Sequence, residues 1–248
     1  MLDAHAHVSF KKFNRDRAQV LERCRLAGVG VVDCAVTLST LERSLELSSS
    51  YGFVYSSAGV HPYKVGRLSG VQLHELLRSI EESVEQLVAI GEAGLDYYLD
   101  AGSAELQREV FKSVATLAKE HALPLVVHAR GAEEEALHLL LELEVERALF
   151  HCYGGDRSTA LKILESGYYI SLATNLCFSE HHAKLARELP VEKILLETDS
   201  PYLSPFRGRR NEPVFVLEAV RRLAGIKGVS ERKIAEAVER NARRFYGI

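Results

Sequence analysis

Leu87-Val88-Ala89-Ile90-Gly91-Glu92 and Lys193-Ile194-Leu195-Leu196-Glu197-Thr198-Asp199 are two short, nearly continuous apolar runs, each ending on a carboxylate. A run of this length is too short for a helix. It also lacks the alternation of a strand with one wet face, so each reads as a parallel strand buried on both sides. Six further segments repeat the theme: Leu2–His7, Gly30–Val36, Val54–Val60, Leu125–His128, Arg147–His151 and Tyr168–Leu172. With Leu87–Gly91 and Lys193–Glu197 they make eight. Helical patterns separate them. Leu106, Val110, Val114 and Leu117 fall on one face. Asp156 is placed to cap a helix through Ala160–Leu164, and Gly167 to stop it. Pro213 suits a first turn before Leu217, Val220 and Ala224, and Ser230 suits the cap of a last helix carrying Ile234, Val238 and Phe245.

Eight strands alternating with helices over 248 residues predict an α/β fold, a (β/α)8 TIM barrel forming a single domain over residues 1–248. An open doubly wound sheet is the competing architecture, but no Gly-rich turn follows the first strand. No linker or low-complexity segment divides the chain.

Composition narrows the function. With 47% hydrophobic and 26% charged residues the chain is neither disordered nor fibrous, and its length allows a sizeable core. A net charge of −3 excludes a protein that coats nucleic acid through bulk positive charge, although it permits a local basic site. Residues 200–248 carry a surplus of Arg and Lys, while the preceding part is net acidic. Cys24, Cys34, Cys152 and Cys177 are scattered with no CxxC pair, which fits a reducing compartment and small buried hydrophobes. The N-terminus has no signal-peptide pattern, and no run of 18 apolar residues exists. The reading is a cytoplasmic protein that makes no membrane contact, with a monomer as the default.

In such a barrel, chemistry gathers at the C-terminal ends of the strands, where roughly one of ten histidines should fall by chance. Five do: His5, His7, His61, His128 and His151. His5 and His7, two apart on a strand, project to the same side. Glu92 and Asp199 close apolar strands, and a carboxylate buried there needs a positive partner, either a metal ion or an Arg or Lys. His5, His7, Glu92, His128, His151 and Asp199 exceed what one tetrahedral ion takes and suit two divalent ions, with Glu92 bridging. The mixed nitrogen and oxygen set fits Zn²⁺ or Mn²⁺, while Mg²⁺ prefers more oxygen. Asp3 reads as supporting, and Asp33 and Asp96 as polar groups at the mouth or loop caps. His74, His121, His138, His181 and His182 fall on helical segments and read as exposed.

Several motifs occur in order: Asp3-Ala4-His5-Ala6-His7, Gly59-Val60-His61-Pro62, Gly91-Glu92-Ala93-Gly94-Leu95-Asp96-Tyr97-Tyr98, Val127-His128-Ala129-Arg130, His151-Cys152-Tyr153-Gly154-Gly155 and Leu196-Glu197-Thr198-Asp199-Ser200-Pro201-Tyr202-Leu203. With Arg207-Gly208-Arg209-Arg210-Asn211-Glu212-Pro213 they resemble the TatD family of metal-dependent deoxyribonucleases across nearly the whole chain. The resemblance implies a barrel of the amidohydrolase-like group and divalent-metal nuclease activity. It places His5, His7, Glu92 and Asp199 around one ion (Mg, Mn or Zn), Glu92, His128 and His151 around the second, and His61 near substrate phosphate. The segments Ala129-Arg130-Gly131-Ala132 and Cys152-Tyr153-Gly154-Gly155 depart from the commoner family wording at positions that line the substrate pocket.

The expected reaction is hydrolysis of a DNA phosphodiester by a hydroxide generated between two metals, with Asp199 as general base and Glu92 as bridge. Arg130, Arg207, Arg209 and Arg210 are placed to hold phosphate oxygens. Tyr97, Tyr98, Tyr153 and Tyr202 can stack on bases or pack in the core. A rim of loops favours an exonuclease on single strands or strand ends. Two alternatives keep the barrel: a metal-dependent ester or amide hydrolase, such as a D-aminoacyl-tRNA deacylase, and a non-catalytic scaffold. Glu92 stands where cyclic-amide hydrolases carry a modified Lys, which favours the phosphodiesterase.

Overall fold

A computed structural model describes residues 1–248. The strands are β1 (Leu2–Ala6), β2 (Gly30–Ala35), β3 (Val54–Ala58), β4 (Leu87–Asp96), β5 (Leu125–Arg130), β6 (Ala148–Phe150), β7 (Tyr169–Leu172) and β8 (Ile194–Leu196). They pair in parallel in chain order. The ring closes just beyond β1 and β8: Ala6 bridges Ser200, the His7 N–H donates to the Ser200 carbonyl at 2.8 Å, and the Asp199 N–H donates to the His5 carbonyl at 3.0 Å. Helices α1 (Arg17–Leu26), α2 (Leu38–Ser50), α3 (Pro62–Val65), α4 (Gly70–Glu82), α5 (Tyr97–Asp100), α6 (Ala104–Glu120), α7 (Glu133–Glu142), α8 (Arg157–Glu165), α9 (Glu180–Glu188), α10 (Val216–Lys227) and α11 (Glu231–Tyr246) follow the strands. None is long and apolar enough to cross a membrane. The expected eight-stranded barrel is the observed fold.

Local chemistry sets the helix starts. Asp156 accepts from the Thr159 N–H ahead of α8, and Ser230 accepts from the Lys233 N–H ahead of α11, each relieving a donor that the helix cannot pair. The apolar residues divide into two cores. The larger lies between strands and helices. The smaller joins Leu2, Ala4, Val32, Ala89, Val126, Leu149 and Leu195 with Phe245 and Tyr246 of α11. Residues from strands across the ring can meet only inside it, so this second cluster is the barrel interior, closed at its base by the end of α11.

The interior also explains how functional side chains are aimed. Val126 and His128 share a face of β5 by the period of two, as do Leu149 and His151 along β6 and beyond it. In β1 and β4 the parity breaks: Ala4 and Ala89 are interior, and so are His5 and Glu92. Register shifts fall between Asp3 and Ala6 and between Ile90 and Ala93, where an irregularity can turn a side chain to the other face.

Two local readings need correction. Strand β4 does not end at Gly91 but runs to Asp96. Gly91 is not a stop: Gly91 and Gly94 both have positive φ, 119° and 151°, and a Cβ on either would collide with a backbone carbonyl of β5, that of Val126 or His128. On α6 the buried stripe is Gln107, Val110, Phe111, Val114, Ala115 and Ala118. Leu106 is 38% exposed, so the true face is turned by about one residue from the expected one. Because the obstacle at Gly94 is backbone and cannot swing aside, Gly94→Ala should cost about 2 kcal/mol or more. Urea unfolding measures it, and a loss within error of zero would show that β4 and β5 can separate there.

Candidate metal centre

Six donors converge at the C-terminal mouth of the barrel. His5 lies on β1 and His7 one residue past it, Glu92 on β4, His128 on β5, His151 one residue past β6, and Asp199 three past β8. Glu92, only 2% exposed, is the hub. His151 Nε2 lies 2.8 Å from its Oε2, His128 Nδ1 3.5 Å, and His5 Nε2 3.9 Å. His7 Nε2 lies 3.5 Å from Oε1 and 3.3 Å from Asp199 Oδ1. No Arg or Lys takes the place of a cation beside Glu92. His5, His7, Cys34 and Glu92 form one cluster of ligand atoms, and His61, Glu92 and His128 a second, with Glu92 common to both.

Hydrogen bonds on the far side of each ring decide which nitrogen carries the proton. His7 Nδ1 faces the Cys34 carbonyl at 2.8 Å, His151 Nδ1 faces Glu197 Oε1 at 3.3 Å, and His128 Nε2 faces Asp96 Oδ2 at 3.0 Å. These partners can only accept, so in the neutral rings His7 Nε2, His151 Nε2 and His128 Nδ1 turn lone pairs inward. Two close nitrogen pairs result: His128 Nδ1 with His151 Nε2 at 3.1 Å, both oriented by outer partners, and His5 Nε2 with His7 Nε2 at 3.3 Å, where the far nitrogen of His5 has no partner. Lone pairs pointing at one another and at a carboxylate repel unless positive charge lies among them, so the donor set fits divalent cations.

The electrostatics carry the same demand. Burial opposes a charged His7, yet its bond to Asp199 and the charges of Glu92 and Asp199 lift it to about 9. His151 is likewise raised against burial by Glu92 and Glu197. Glu92 is held low against burial by His61 and His151. His5 is pushed down by burial and by His151. The centre therefore calls for positive charge, which either protons or a cation can supply.

His61 differs. Its Nδ1 accepts from the Tyr63 N–H at 3.0 Å, so the neutral ring carries its proton on Nε2, and burial lowers it to about 4. That nitrogen is a hydrogen-bond donor facing Glu92 at 3.9 Å, not a free ligand lone pair.

Three buried groups brace the centre. Asp3 accepts from the Thr198 N–H at 2.8 Å and hydroxyl at 2.6 Å, tying β1 to the strand carrying Asp199. Asp96 both orients His128 and caps α5 through the Leu99 N–H at 2.9 Å. Glu197, fully buried and hydrogen-bonded to Ser171, orients His151. Sequence reasoning passed over Glu197, although it shares strand parity with Asp199. It also passed over Cys34, whose Sγ meets the Glu92 N–H at 3.0 Å.

The donors open into a cavity of about 750 Å³ that reaches His61, Arg130 and Tyr202. Arg207 and Arg209, expected beside phosphate, do not line it. Arg209 lies 4.7 Å from the Phe215 ring centroid, and Arg210 pairs with Asp16 at 2.6 Å. Tyr98 and Tyr202 are exposed, Tyr98 beneath the Arg130 guanidinium at 3.9 Å, while Tyr153 is buried and Tyr97 packs against the core. His74, His121, His138 and His181 are exposed, and His182 is half-buried against Asn175 and Ser179.

A parallel barrel with histidines and carboxylates converging at its C-terminal mouth defines a metal-dependent hydrolase of the TIM-barrel type. A family model described as TatD related DNase matches residues 2–247. An uncharacterized metal-dependent hydrolase of Methanocaldococcus jannaschii is 36% identical over 99% of this chain and 96% of its own length. The 3'-5' ssDNA/RNA exonuclease TatD of Erwinia tasmaniensis is 32% identical over 100% of both chains. The crystal structure of YJJV, a TatD homolog from Escherichia coli, superposes with a TM-score of 0.92 at 26% identity, over 100% of this chain and 98% of that one. The chain belongs to the TatD family of metal-dependent hydrolases and deoxyribonucleases.

Adding Mn²⁺ to chelator-treated protein should raise its stability by about 2.7 kcal/mol at a hundredfold excess over Kd. Glu92→Ala should abolish most of that gain, read as the ion-dependent shift in Tm. An undiminished shift would move the ion away from Glu92.

Proposed function

We propose that this protein hydrolyses phosphodiester bonds of single-stranded DNA or of strand ends as an exonuclease, using two divalent ions (Mg, Mn or Zn). The observation that carries the reading is the pair of inward-facing nitrogen couples, His5 with His7 and His128 with His151, on either side of one carboxylate, Glu92. His5, His7, Glu92 and Asp199 would hold one ion, and Glu92, His128 and His151 the other. When bound, the ions supply Lewis-acid polarisation of the phosphate and make water more acidic.

The chain's own groups do the rest. Asp199, with 17% of its side chain exposed, reaches the cavity and accepts the proton of the attacking water. His61, neutral with its proton on Nε2, donates to a phosphate oxygen. The Arg130 guanidinium supplies a second, charge-assisted donor on the same wall. Glu197 and Asp96 keep His151 and His128 in the ligand tautomer throughout. The exposed rings of Tyr98 and Tyr202 offer surfaces for unpaired bases. The relative from Erwinia tasmaniensis, named as a single-strand exonuclease, supports the substrate. A concave mouth, unlike a long groove, favours a strand end over intact duplex.

Digestion of end-labelled single-stranded DNA with Mn²⁺ or Mg²⁺ tests the reading. Asp199→Asn should lower kcat by about 10²- to 10⁴-fold, the usual contribution of a positioned base. Activity equal to wild type would sink the assignment. Faster cleavage of a chromogenic carboxylic ester than of a chromogenic phosphodiester would overturn the choice of bond.

A further inference from the structure

The cavity is lopsided. Beyond the donors it extends over the loops that follow β1, β2 and β3 and not over those after β6 and β7. Lys11 and Lys12 come from the short turn Lys11–Phe13, Arg43 from α2 and Lys64 from α3. Thr37, Ser39 and Thr40 add hydroxyls to the same wall. The only carboxylates lining the cavity are Glu92 and Asp199, both among the donors. Salt bridges elsewhere use their cations up, as in Arg210 with Asp16 and Lys162 with Glu134, but Lys11, Lys12, Arg43 and Lys64 join none.

Two of these cations are also held in place. Arg43 is half-buried and donates through Nη1 to the Ser9 carbonyl at 2.9 Å, which leaves the rest of its guanidinium for a ligand. The Lys12 ammonium lies 4.4 Å from the Tyr202 ring centroid, above the edge of the donor cluster. Phe10, stacked on His7 with centroids 4.3 Å apart, separates the donors from this basic wing. A single phosphodiester carries one negative charge, and the reading above already meets it with metal ions, His61 and Arg130. Four more unpaired cations displaced to one side have no charge to meet in a substrate with only one phosphate.

We propose that the wing formed by Lys11, Lys12, Arg43 and Lys64 binds a second phosphate of the substrate, next along the strand from the one being cleaved. This inference rests on the phosphodiesterase reading. The second phosphate comes either from a terminal monoester or from the next internucleotide diester, and the two share the same oxygen chemistry. The minimal good substrate then carries at least two phosphates, and the gain appears mainly in KM.

The test uses the Mn²⁺-loaded enzyme with four small thymidine substrates: TpT, with one phosphate, and pTpT, TpTp and TpTpT, each with two. At least one two-phosphate substrate should exceed TpT in kcat/KM by about tenfold, the worth of one charge-assisted contact. Which of the three gains identifies the source of the phosphate. In Lys11→Ala/Lys12→Ala, at two exposed positions where folding is safe, and in the same variant with Arg43→Gln added, the advantage should fall to within about twofold and lose its salt dependence. Cleavage of all four substrates by wild type at similar kcat/KM would overturn the inference and leave the phosphodiesterase reading intact. An advantage that survives in both variants would overturn the assignment to this wing. Failure to cleave any of the four would overturn the phosphodiesterase reading itself.

Discussion

Everything at the mouth of this barrel is organised by one constraint: a nearly buried carboxylate, Glu92, ringed by imidazole nitrogens with no Arg or Lys beside it. A carboxylate in such a place is ordinarily paired with Arg or Lys. Here the surrounding hydrogen bonds do the opposite. The Cys34 carbonyl, Asp96 and Glu197 pull the ring protons outward and leave basic nitrogens facing inward. The fold commits buried acceptors to this arrangement, which calls for positive charge among the inward-facing nitrogens.

Rigidity underlies that geometry. Glu92 stands midway along β4 and the other donors near or just past the ends of their strands, whose lower halves are packed into the barrel interior, so the donors inherit the stiffness of a core. The irregular registers of β1 and β4 add the needed correction, turning His5 and Glu92 inward where strict alternation would not.

Much of this was legible from residue order alone. Short continuous apolar runs report burial on both faces, and a charged or imidazole side chain ending such a run has nowhere to go but the mouth, so the eight strands and the six converging donors could be read. The failures share a cause: direction beyond a strand end is set by partners remote in sequence. Arg210 follows Asp199 closely, but its partner Asp16 precedes it by 194 residues, so adjacency to Asp199 does not show where its side chain goes. Glu197 escaped because its partner, His151, lies 46 residues away on another strand. The basic wing escaped because its residues come from three separate segments, the turn after β1, α2 and α3, which only the fold brings to one wall. Gly91 misled because in β4 it marks closeness to a neighbouring backbone, which a single strand's sequence does not display.

The seam between β1 and β8 carries a consequence for the life of the chain before it is complete. His5 and His7 are synthesised more than 190 residues ahead of Asp199, and the same backbone bonds that shut the ring bring them together. Asp3 reinforces the seam from the early side by gripping Thr198. A partial chain on the ribosome thus holds most of the histidines with neither a closed barrel nor the carboxylate beside His7. A hydrolase built this way is silent until the segment with Asp199 has been made, and closure of the barrel and completion of its site are one event.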